Sequence, residues 1–434
     1  MPLWRMILMA INLAGFRFGG AAIGLASQIL LARLLPQHDV GIVLMTMSAA
    51  ALISLVMTVG YPSLAMTCLP RYYALGRKSL AAAYHSAAWH DTLIVSAAAV
   101  ASIMLLAVFR PFSDGMTTAL VFGCLMAPAS SLIRLTSSTA NSLRRFSLSY
   151  VPDFLFRPAI LLVYLAGAWI LGHTLPLTSV LWVLVLGTAA VAVVQAFMLG
   201  RQGPLPYLFH RSRRRLAPYL RGRAMALVIV AAVAASLADL VTLLGGLFLS
   251  STEVAELGIA VRLAALAGFV TQATQQFVLP DLAKAITRGQ RGEVQSLLFR
   301  INLIALSAIA AGVAGAIVLG PWVLMIFGAE YANAHWPLVL FMLGQLVRAS
   351  GGMNQYLLSI DGFQLRTANS CIFAVASLGA AATLLTPGYG VMGMAIAALI
   401  ADLLWSGILA IQAQRYAGYR GDILAVLRAR RKLL

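Results

Sequence analysis

Charged residues are scarce in this chain of 434 residues: Asp, Glu, Lys and Arg make up 10% of it, and hydrophobic residues make up 61%. Soluble domains are about a quarter charged, so the composition excludes both a water-soluble globular protein and a disordered one. Only three cysteines are present, at 68, 124 and 371, with no C-x-x-C spacing. This excludes a disulfide framework and a cysteine zinc site. With a mean hydropathy of +0.90, the chain is predicted to be one all-α, polytopic membrane protein.

Catalytic and nucleotide-binding patterns are also missing. The segment GRKS at 76–79 resembles the end of a phosphate-binding loop, but the first glycine and the lysine of that motif are both replaced by arginine. His85, His90 and Asp91 are close in sequence, yet their spacing does not place them on one helix face, and a zinc site needs further ligands. We expect these three to contact lipid headgroups. The sequence therefore predicts neither an enzyme nor a metal site.

Long apolar runs dominate what is present. About 20 apolar residues are needed to cross a bilayer as a helix, and runs of this length recur along the whole chain. We predict twelve transmembrane spans, near 8–32, 40–60, 88–109, 116–137, 152–172, 176–199, 223–249, 256–279, 298–320, 335–358, 366–386 and 390–413.

Basic residues outnumber acidic ones by 31 to 13, which gives a net charge of +18. With the N-terminus in the cytoplasm, 23 of the 31 basic residues fall on inner loops and span ends, and only Arg33 and Arg110 fall on outer ones. Because positive residues accumulate on the cytoplasmic side, both termini are predicted to be cytoplasmic. The charge is then expected to face membrane lipids, not nucleic acid.

A basic segment from Arg201 to Arg223 separates six predicted spans from six. DVGIV at 39–43 and ELGIA at 256–260 open the second span of each half, which suggests a duplicated transporter fold or a chance match. The basic tail fits either an amphipathic helix on the inner leaflet or a charged tail that only sets topology. The predicted domains are an N-lobe at 1–200, a linker at 201–222, a C-lobe at 223–414 and a cytoplasmic tail at 415–434.

Arginines inside the spans are the candidate functional residues. Each costs about 2.5–3.5 kcal/mol at the bilayer centre, so such residues face protein or water. The planar guanidinium of arginine also donates hydrogen bonds in a geometry that matches phosphate oxygens. In spans 1, 8 and 10 helical spacing groups an arginine with amide side chains on one face. The predicted substrate-binding residues are Arg17, Arg262, Arg348, Gln28, Gln272, Gln276, Gln345 and Gln355.

Each intramembrane charge also has a structural interpretation. Arg157 follows Asp153 by four residues, which favours a local ion pair over ligand binding. Arg262 could neutralise Asp239 on the preceding span, whereas Arg17 and Arg348 have no partner nearby in sequence. Asp239 could alternatively bind Na⁺ or a proton.

Three segments resemble Wzx-type polysaccharide flippases of the multidrug/oligosaccharidyl-lipid/polysaccharide (MOP) exporter superfamily. LARLLPQHDVGIVLMTMS (Leu31–Ser48) is similar to the first hairpin of that family. IFGAEYANAHWPLVLFMLG (Ile326–Gly344) is similar to its entry to span 10, and TPGYGVMGMAIAALIAD (Thr386–Asp402) to its entry to span 12. The resemblance implies two six-helix, MATE-like lobes around a cavity, and alternating access without ATP or a bound cofactor.

The resemblance also implies a function. Basic cavity residues of the family face an undecaprenyl-pyrophosphate-linked oligosaccharide, and Arg17, Arg262 and Arg348 fit that role. Asp239 lies on the span that carries a sodium-site carboxylate in the lipid II flippase branch, which implies coupling to Na⁺ or H⁺. We therefore expect a flippase for O-antigen, exopolysaccharide or capsule synthesis in the bacterial inner membrane, with a polysaccharide polymerase and glycosyltransferases as candidate partners. The alternative is a small-molecule or cation antiporter of the multidrug type, although such proteins commonly carry an acid in span 1.

Overall fold

A computed structural model describes residues 3–109, 112–201, 237–288, 290–360, 364–417 and 421–422. These residues are helical, with turns between the helices and no β-strand among them. The chain divides into two compact units, Met1–Leu243 and Leu244–Leu434. The predicted all-α membrane fold is confirmed. Residues 202–222 of the predicted linker (201–222) and most of the predicted tail lie outside the described residues. The division between the units falls within a helix that follows the linker.

The described residues of unit 1 form eight helices and the start of a ninth. They are α1 (Leu3–Leu34), α2 (Gln37–Met57), α3 (Tyr61–Ala74), α4 (Lys78–Phe109), α5 (Asp114–Ser142), α6 (Phe146–Val151), α7 (Arg157–Leu171), α8 (Leu177–Arg201) and α9 (Leu237–Phe248). A π-helical turn, Pro152–Phe156, joins α6 to α7 without a break.

Helix α5 lies at the centre of unit 1, where it contacts α2, α3, α4 and α8. At Gly123, α5 lies close to α2: a Cβ at this position would lie 2.7 Å from the Cβ of Ala49. Small residues allow the two backbones to approach closely. In a membrane the hydrophobic effect does not drive helices together, so this close van der Waals packing stabilises the pair. The close packing of α2 against α5 at this point therefore depends on Gly123 and Ala49 being small.

The part of unit 2 that the structure describes forms five further helices. They are α10 (Ser251–Thr287), α11 (Arg291–Met325), α12 (His335–Ser350), α13 (Asn354–Ile360) and α14 (Gln364–Gln412), with a 3₁₀ segment at Ala329–Ala334 and a π-helical turn at Ala413–Ala417. Helix α12 contacts α10, α11 and α14 and occupies the centre of this unit. Helix α14 is kinked at Gly390 (φ 58°, ψ −137°), so it corresponds to two predicted spans.

The break between α12 and α13 is held by a polar clasp. Gly352 has a left-handed backbone (φ 62°), and its carbonyl accepts a hydrogen bond from Gln275 Nε2 at 3.1 Å. The backbone of Gly421 is bound on both sides: its carbonyl accepts from Asn302 Nδ2 at 2.6 Å, and its N–H donates to Asn354 Oδ1 at 2.7 Å. The clasp therefore fixes the chain after α14 to the centre of unit 2.

Eight helices among the described residues are long and apolar enough to cross a membrane. The predicted spans match these eight, together with the shorter helices Phe18–Leu34 and Leu237–Phe248 and the α12–α13 pair. The beginning of predicted span 7, residues 223–236, lies outside the described residues. Helix α3 was not predicted, and α4 begins ten residues before the predicted span 3.

Candidate functional site

Helix α1 carries the first predicted site residues. Gln28 is half-buried, and the side chain of Arg17 lies outside the described residues. One turn after Arg17, Gly20 packs against the π-helical turn, where an added Cβ would collide with the carbonyl oxygen of Phe154. The glycine therefore allows α1 to touch the turn that precedes α7.

This contact predicts that alanine substitutions at two glycines of α1 differ clearly in their effect on stability. Gly20→Ala should lower the free energy of unfolding by about 1–3 kcal/mol, because either helix must move away from the overlap. Gly24→Ala is the matched control, since a Cβ at that position meets nothing within 4 Å. Unfolding of the purified protein in detergent, followed by tryptophan fluorescence, measures both. Equal stability of the two variants would contradict the packing described for Gly20.

Four charged residues of unit 1 form a cluster that we call the unit 1 charge cluster: Arg134, Asp153, Arg157 and Asp239. Arg134 Nε donates to Ser54 Oγ at 3.1 Å, and its guanidinium is within electrostatic range of the other three. Cations and carboxylates are equal in number, so the cluster is nearly neutral overall. Arg134 was not among the predicted site residues, although its position inside a predicted span was the signal that could have identified it.

Asp239, the predicted coupling residue, belongs to this cluster. Ser48 Oγ of α2 donates to Asp239 Oδ1 at 3.1 Å. Ser54, which accepts a hydrogen bond from Arg134, lies on the same helix as Ser48. Helix α2 therefore provides one hydroxyl group to Asp239 and another to Arg134. A carboxylate beside a hydroxyl oxygen offers oxygen ligands of the kind that bind a small cation. Coupling at Asp239 stays a prediction.

The local pair predicted for Arg157 is confirmed: Arg157 Nη1 lies 3.3 Å from Asp153 Oδ1. Asp153 is in the π-helical turn and Arg157 is the first residue of α7. Turns of this type occur frequently at functional sites, because the extra residue changes which side chains share a face. Both side chains are partly exposed.

Arg348 has a partner that the sequence did not suggest. Its Nε donates to Asp402 Oδ1 at 2.8 Å, and its guanidinium carbon lies 4.9 Å from the centre of the Trp405 ring. Gly344 leaves the space for this carboxylate, since a Cβ there would lie 2.7 Å from Asp402 Oδ2. This carboxylate is 54 residues away in the chain, and a role of Arg348 in substrate binding stays a prediction. One terminal nitrogen, Nη2, is buried without a hydrogen-bond partner among the described residues.

The amide residues of unit 2 do not share one continuous face. The prediction placed Arg348 and Gln355 on a single helix, but α12 ends before the left-handed Gly352, and Gln355 belongs to α13. This part of the prediction is wrong, because it assumed an uninterrupted span 10. Gln345 faces α10: a Cβ on Gly268 would lie 2.9 Å from its Oε1.

The predicted residues of α10 are less enclosed. Arg262 is half-buried and Gln272 is exposed, whereas the side chain of Gln276 lies outside the described residues. The neighbouring Gln275 was not predicted, yet it is buried and is the residue that binds the carbonyl of Gly352. Helical spacing in the sequence does not distinguish a glutamine that binds the backbone between α12 and α13, as Gln275 does, from one that faces a cavity.

The expectation that His85 and Asp91 contact headgroups is also wrong. Both are buried, and Asp91 Oδ2 accepts a hydrogen bond from Tyr61 Oη at 2.7 Å. Tyr73 Oη lies 3.3 Å from His85 Nε2, so two tyrosines of the unpredicted helix α3 bind the pair. His90 is exposed, with 68% of its side chain accessible. These residues attach α3 to α4.

The fold is shared with transporters of the MOP superfamily. A multidrug resistance MATE family transporter in an inward-facing conformation superposes with a TM-score of 0.74 at 12% identity, over 92% of this chain and 94% of that one. The lipid II flippase MurJ, inward closed, gives 0.71 at 14% identity, over 93% and 87%. A MOP superfamily transporter from Pyrococcus furiosus, described as having a binding pocket of reverse polarity, gives 0.51 at 13%, over 94% and 95%. No protein-family model and no curated protein matches the sequence.

Proposed function

We propose that this protein is a transporter that flips an undecaprenyl-pyrophosphate-linked oligosaccharide across the bacterial inner membrane by alternating access, for surface polysaccharide synthesis. The proposal is supported by the fold, which is shared with a lipid flippase as well as with multidrug transporters. The polymerase and glycosyltransferases that would use or supply this lipid are the expected partners.

The observation that carries the proposal is the charge of α1. This helix contains Arg5, Arg17 and Arg33 and no acidic residue. A cation is costly at bilayer depth, and such a residue is tolerated where it meets water or an anion. Arg17 is therefore proposed to bind the diphosphate, because a guanidinium donates two parallel hydrogen bonds to phosphate oxygens.

Two arginines of unit 2 are also proposed to bind substrate. Arg262 is half-buried on α10, and Arg348 binds Asp402 through Nε while its buried Nη2 has no hydrogen-bond partner among the described residues. The predicted amides Gln28, Gln272, Gln276, Gln345 and Gln355 are proposed to bind sugar hydroxyls. In this proposal the arginines bind the negatively charged diphosphate, and the amides bind the uncharged sugar hydroxyls.

The energetics favour outward movement of such a substrate. One negative charge that moves outward across 100 mV, inside negative, gains about 2.3 kcal/mol. Entry of Na⁺ or H⁺ at Asp239 would add to this driving force, and its position beside Arg134 and Ser48 connects cation binding to the unit 1 charge cluster. No ATP is required.

The test is transport by the purified protein in vesicles containing a fluorescent polyprenyl-diphosphate-linked oligosaccharide. Arg17→Ala and Arg262→Ala should each slow appearance of the sugar on the opposite face by about tenfold or more, the loss of about one charge-assisted contact. Arg33→Ala is the matched control, because Arg33 is on the same helix but exposed at its far end. Unchanged transport by both variants would contradict the role of these arginines.

A multidrug antiporter is the second candidate, and the similarity to a MATE family transporter favours it. The polarity of the binding pocket differs among proteins of this fold, as the Pyrococcus protein illustrates, so the fold leaves this choice open. Vesicles that exchange a cationic dye for Na⁺ or H⁺ but do not move the lipid-linked sugar would establish the antiporter and overturn the flippase.

A further inference from the structure

Two members of the unit 1 charge cluster are bound along one side of α2. Ser48 Oγ donates to Asp239 Oδ1 at 3.1 Å, and Ser54 Oγ accepts from Arg134 Nε at 3.1 Å. Arg134 also donates through Nη2 to the carbonyl of Ala51 at 3.5 Å. The three residues of α2 are spaced by three, so each lies about 4.5 Å along the helix axis from the next. Helix α2 therefore holds a carboxylate and a guanidinium next to each other.

We propose that Arg134 is a tethered cation that competes with Na⁺ for Asp239, and that binding of Na⁺ shifts Arg134 towards Asp153. This inference rests on the proposed coupling at Asp239 and adds to it the residue that sets the affinity for the ion. Arg134 is a positioning residue in this role: it does not contact the substrate, but it determines when the carboxylate is available to Na⁺.

The balance of charge in the cluster favours this role. Arg134 is within electrostatic range of Asp153, Arg157 and Asp239, so two cations and two carboxylates cancel when Na⁺ is absent. A carboxylate without a counter-charge is costly at bilayer depth. A side chain that neutralises Asp239 after the ion has left allows the protein to change conformation without Na⁺.

The ligands around Asp239 also fit the exchange. Ser48 and Ser54 are both 0% exposed, whereas Arg134 and Asp239 are half-buried. Packing thus fixes the two hydroxyl groups, while water and ions can reach the two charged groups. When Arg134 moves away, Asp239 keeps the hydroxyl of Ser48, and carboxylate and hydroxyl oxygens are ligands that hard cations prefer.

Asp153 offers Arg134 a second carboxylate. It lies in the π-helical turn, 36% of its side chain is exposed, and its Oδ1 lies 3.3 Å from Arg157 Nη1. A carboxylate has about four acceptor positions, so Asp153 can accept hydrogen bonds from both arginines. The charge of Arg134 can therefore pass from Asp239 to the turn before α7 within the cluster. Occupancy of the ion site is linked to α7 in this way.

The experiment measures binding of radioactive sodium to the full chain in detergent, with choline as the replacing cation. Arg134→Gln keeps hydrogen-bond donors but removes the charge, so the affinity for Na⁺ should rise by about tenfold or more, which corresponds to about 1.4 kcal/mol. Arg134→Lys retains the charge, and its affinity should be close to that of the natural sequence. Asp239→Asn should abolish specific binding.

Arg144→Gln is the matched control. Arg144 is exposed and follows the end of α5, the helix that contains Arg134. This variant loses the same charge outside the cluster, so its affinity for Na⁺ should be unchanged.

Asp153→Asn tests the second carboxylate and does not depend on whether Arg134→Gln folds. Arg134 then keeps Asp239 as its partner, so Na⁺ should bind about tenfold more weakly than in the natural sequence. The two variants therefore change the affinity in opposite directions, although each removes one charge from the same cluster.

Transport provides a readout that a purely structural role of Arg134 would not change in this way. Tighter binding slows the release of Na⁺. Arg134→Gln should therefore move the lipid-linked sugar more slowly than Arg134→Lys, although it binds Na⁺ more tightly.

The outcomes separate this inference from the flippase. Equal Na⁺ affinities in Arg134→Gln and Arg134→Lys, or tighter binding in Asp153→Asn, would overturn the competition. If no variant binds Na⁺ and the sugar is still transported, the ion site alone is overturned. If the affinities change as expected in a folded protein that does not transport the sugar, the competition is supported and the flippase is overturned.

Discussion

Arg348→Ala is expected to lower the free energy of unfolding by about 3–5 kcal/mol, because it leaves a buried carboxylate without its partner. Asp402 is 9% exposed and Arg348 26% exposed, so solvent screens the remaining charge poorly. The packing of the guanidinium over Trp405 is lost as well. Denaturant unfolding in detergent, followed by tryptophan fluorescence, measures the effect.

Two further variants separate the ion pair from the loss of a side chain. Arg348→Met combined with Asp402→Leu removes both charges, and we expect it to recover most of the stability, since a buried pair is often replaceable by apolar residues. Arg157→Ala removes the partly exposed pair with Asp153 and should cost only about 0.2–1 kcal/mol. A loss of less than 1 kcal/mol in Arg348→Ala, similar to that of Arg157→Ala, would contradict a buried pair.

Gly352→Ala should destabilise the protein by about 2–5 kcal/mol, through backbone strain and overlap together. The residue has a φ of 62°, and its Cβ would collide with the carbonyl oxygen of Gly421 and lie 2.7 Å from Asn302 Oδ1. Both contacts belong to the clasp that holds the chain after α14. Thermal unfolding of the detergent-solubilised variant gives the magnitude.

Gly379→Ala should change the free energy of unfolding in the opposite direction. Gly379 lies in α14, where a Cβ meets nothing within 4 Å. Alanine in a helix is preferred to glycine by about 0.5–1 kcal/mol, so this variant should be slightly more stable than the natural sequence. If Gly352→Ala were as stable as Gly379→Ala, the clasp would not constrain position 352.

The transmembrane spans were predictable because the bilayer thickness fixes how long an apolar run must be. Helix α3 was not, since it contains Pro62, Pro70 and Arg71 and does not form such a run. Tertiary contacts stabilise it instead: Tyr61 donates to Asp91, and its carbonyl accepts from Tyr84 Oη at 2.8 Å. Hydropathy along the chain does not contain this information.

The candidate site was predictable where interactions are local. Asp153 and Arg157 are one helical turn apart, so their pair followed from spacing. Arg348 and Asp402 are 54 residues apart, and which two helices bring them together depends on packing. The break after α12 did have a signal, the Gly351-Gly352 dipeptide, which is typical of a turn. The long apolar run around it favoured an uninterrupted helix and so placed Gln355 incorrectly.

The π-helical turn Pro152–Phe156 has a consequence for the orientation of α7. A turn that accommodates one extra residue rotates everything after it by about 100° relative to an uninterrupted α-helix. Deleting a single residue from this turn would restore ordinary hydrogen bonding while swinging Ala159 and Val163 away from α8. The angular setting of a whole transmembrane segment, and with it the face that α7 turns towards α8, is thus determined by one inserted amino acid.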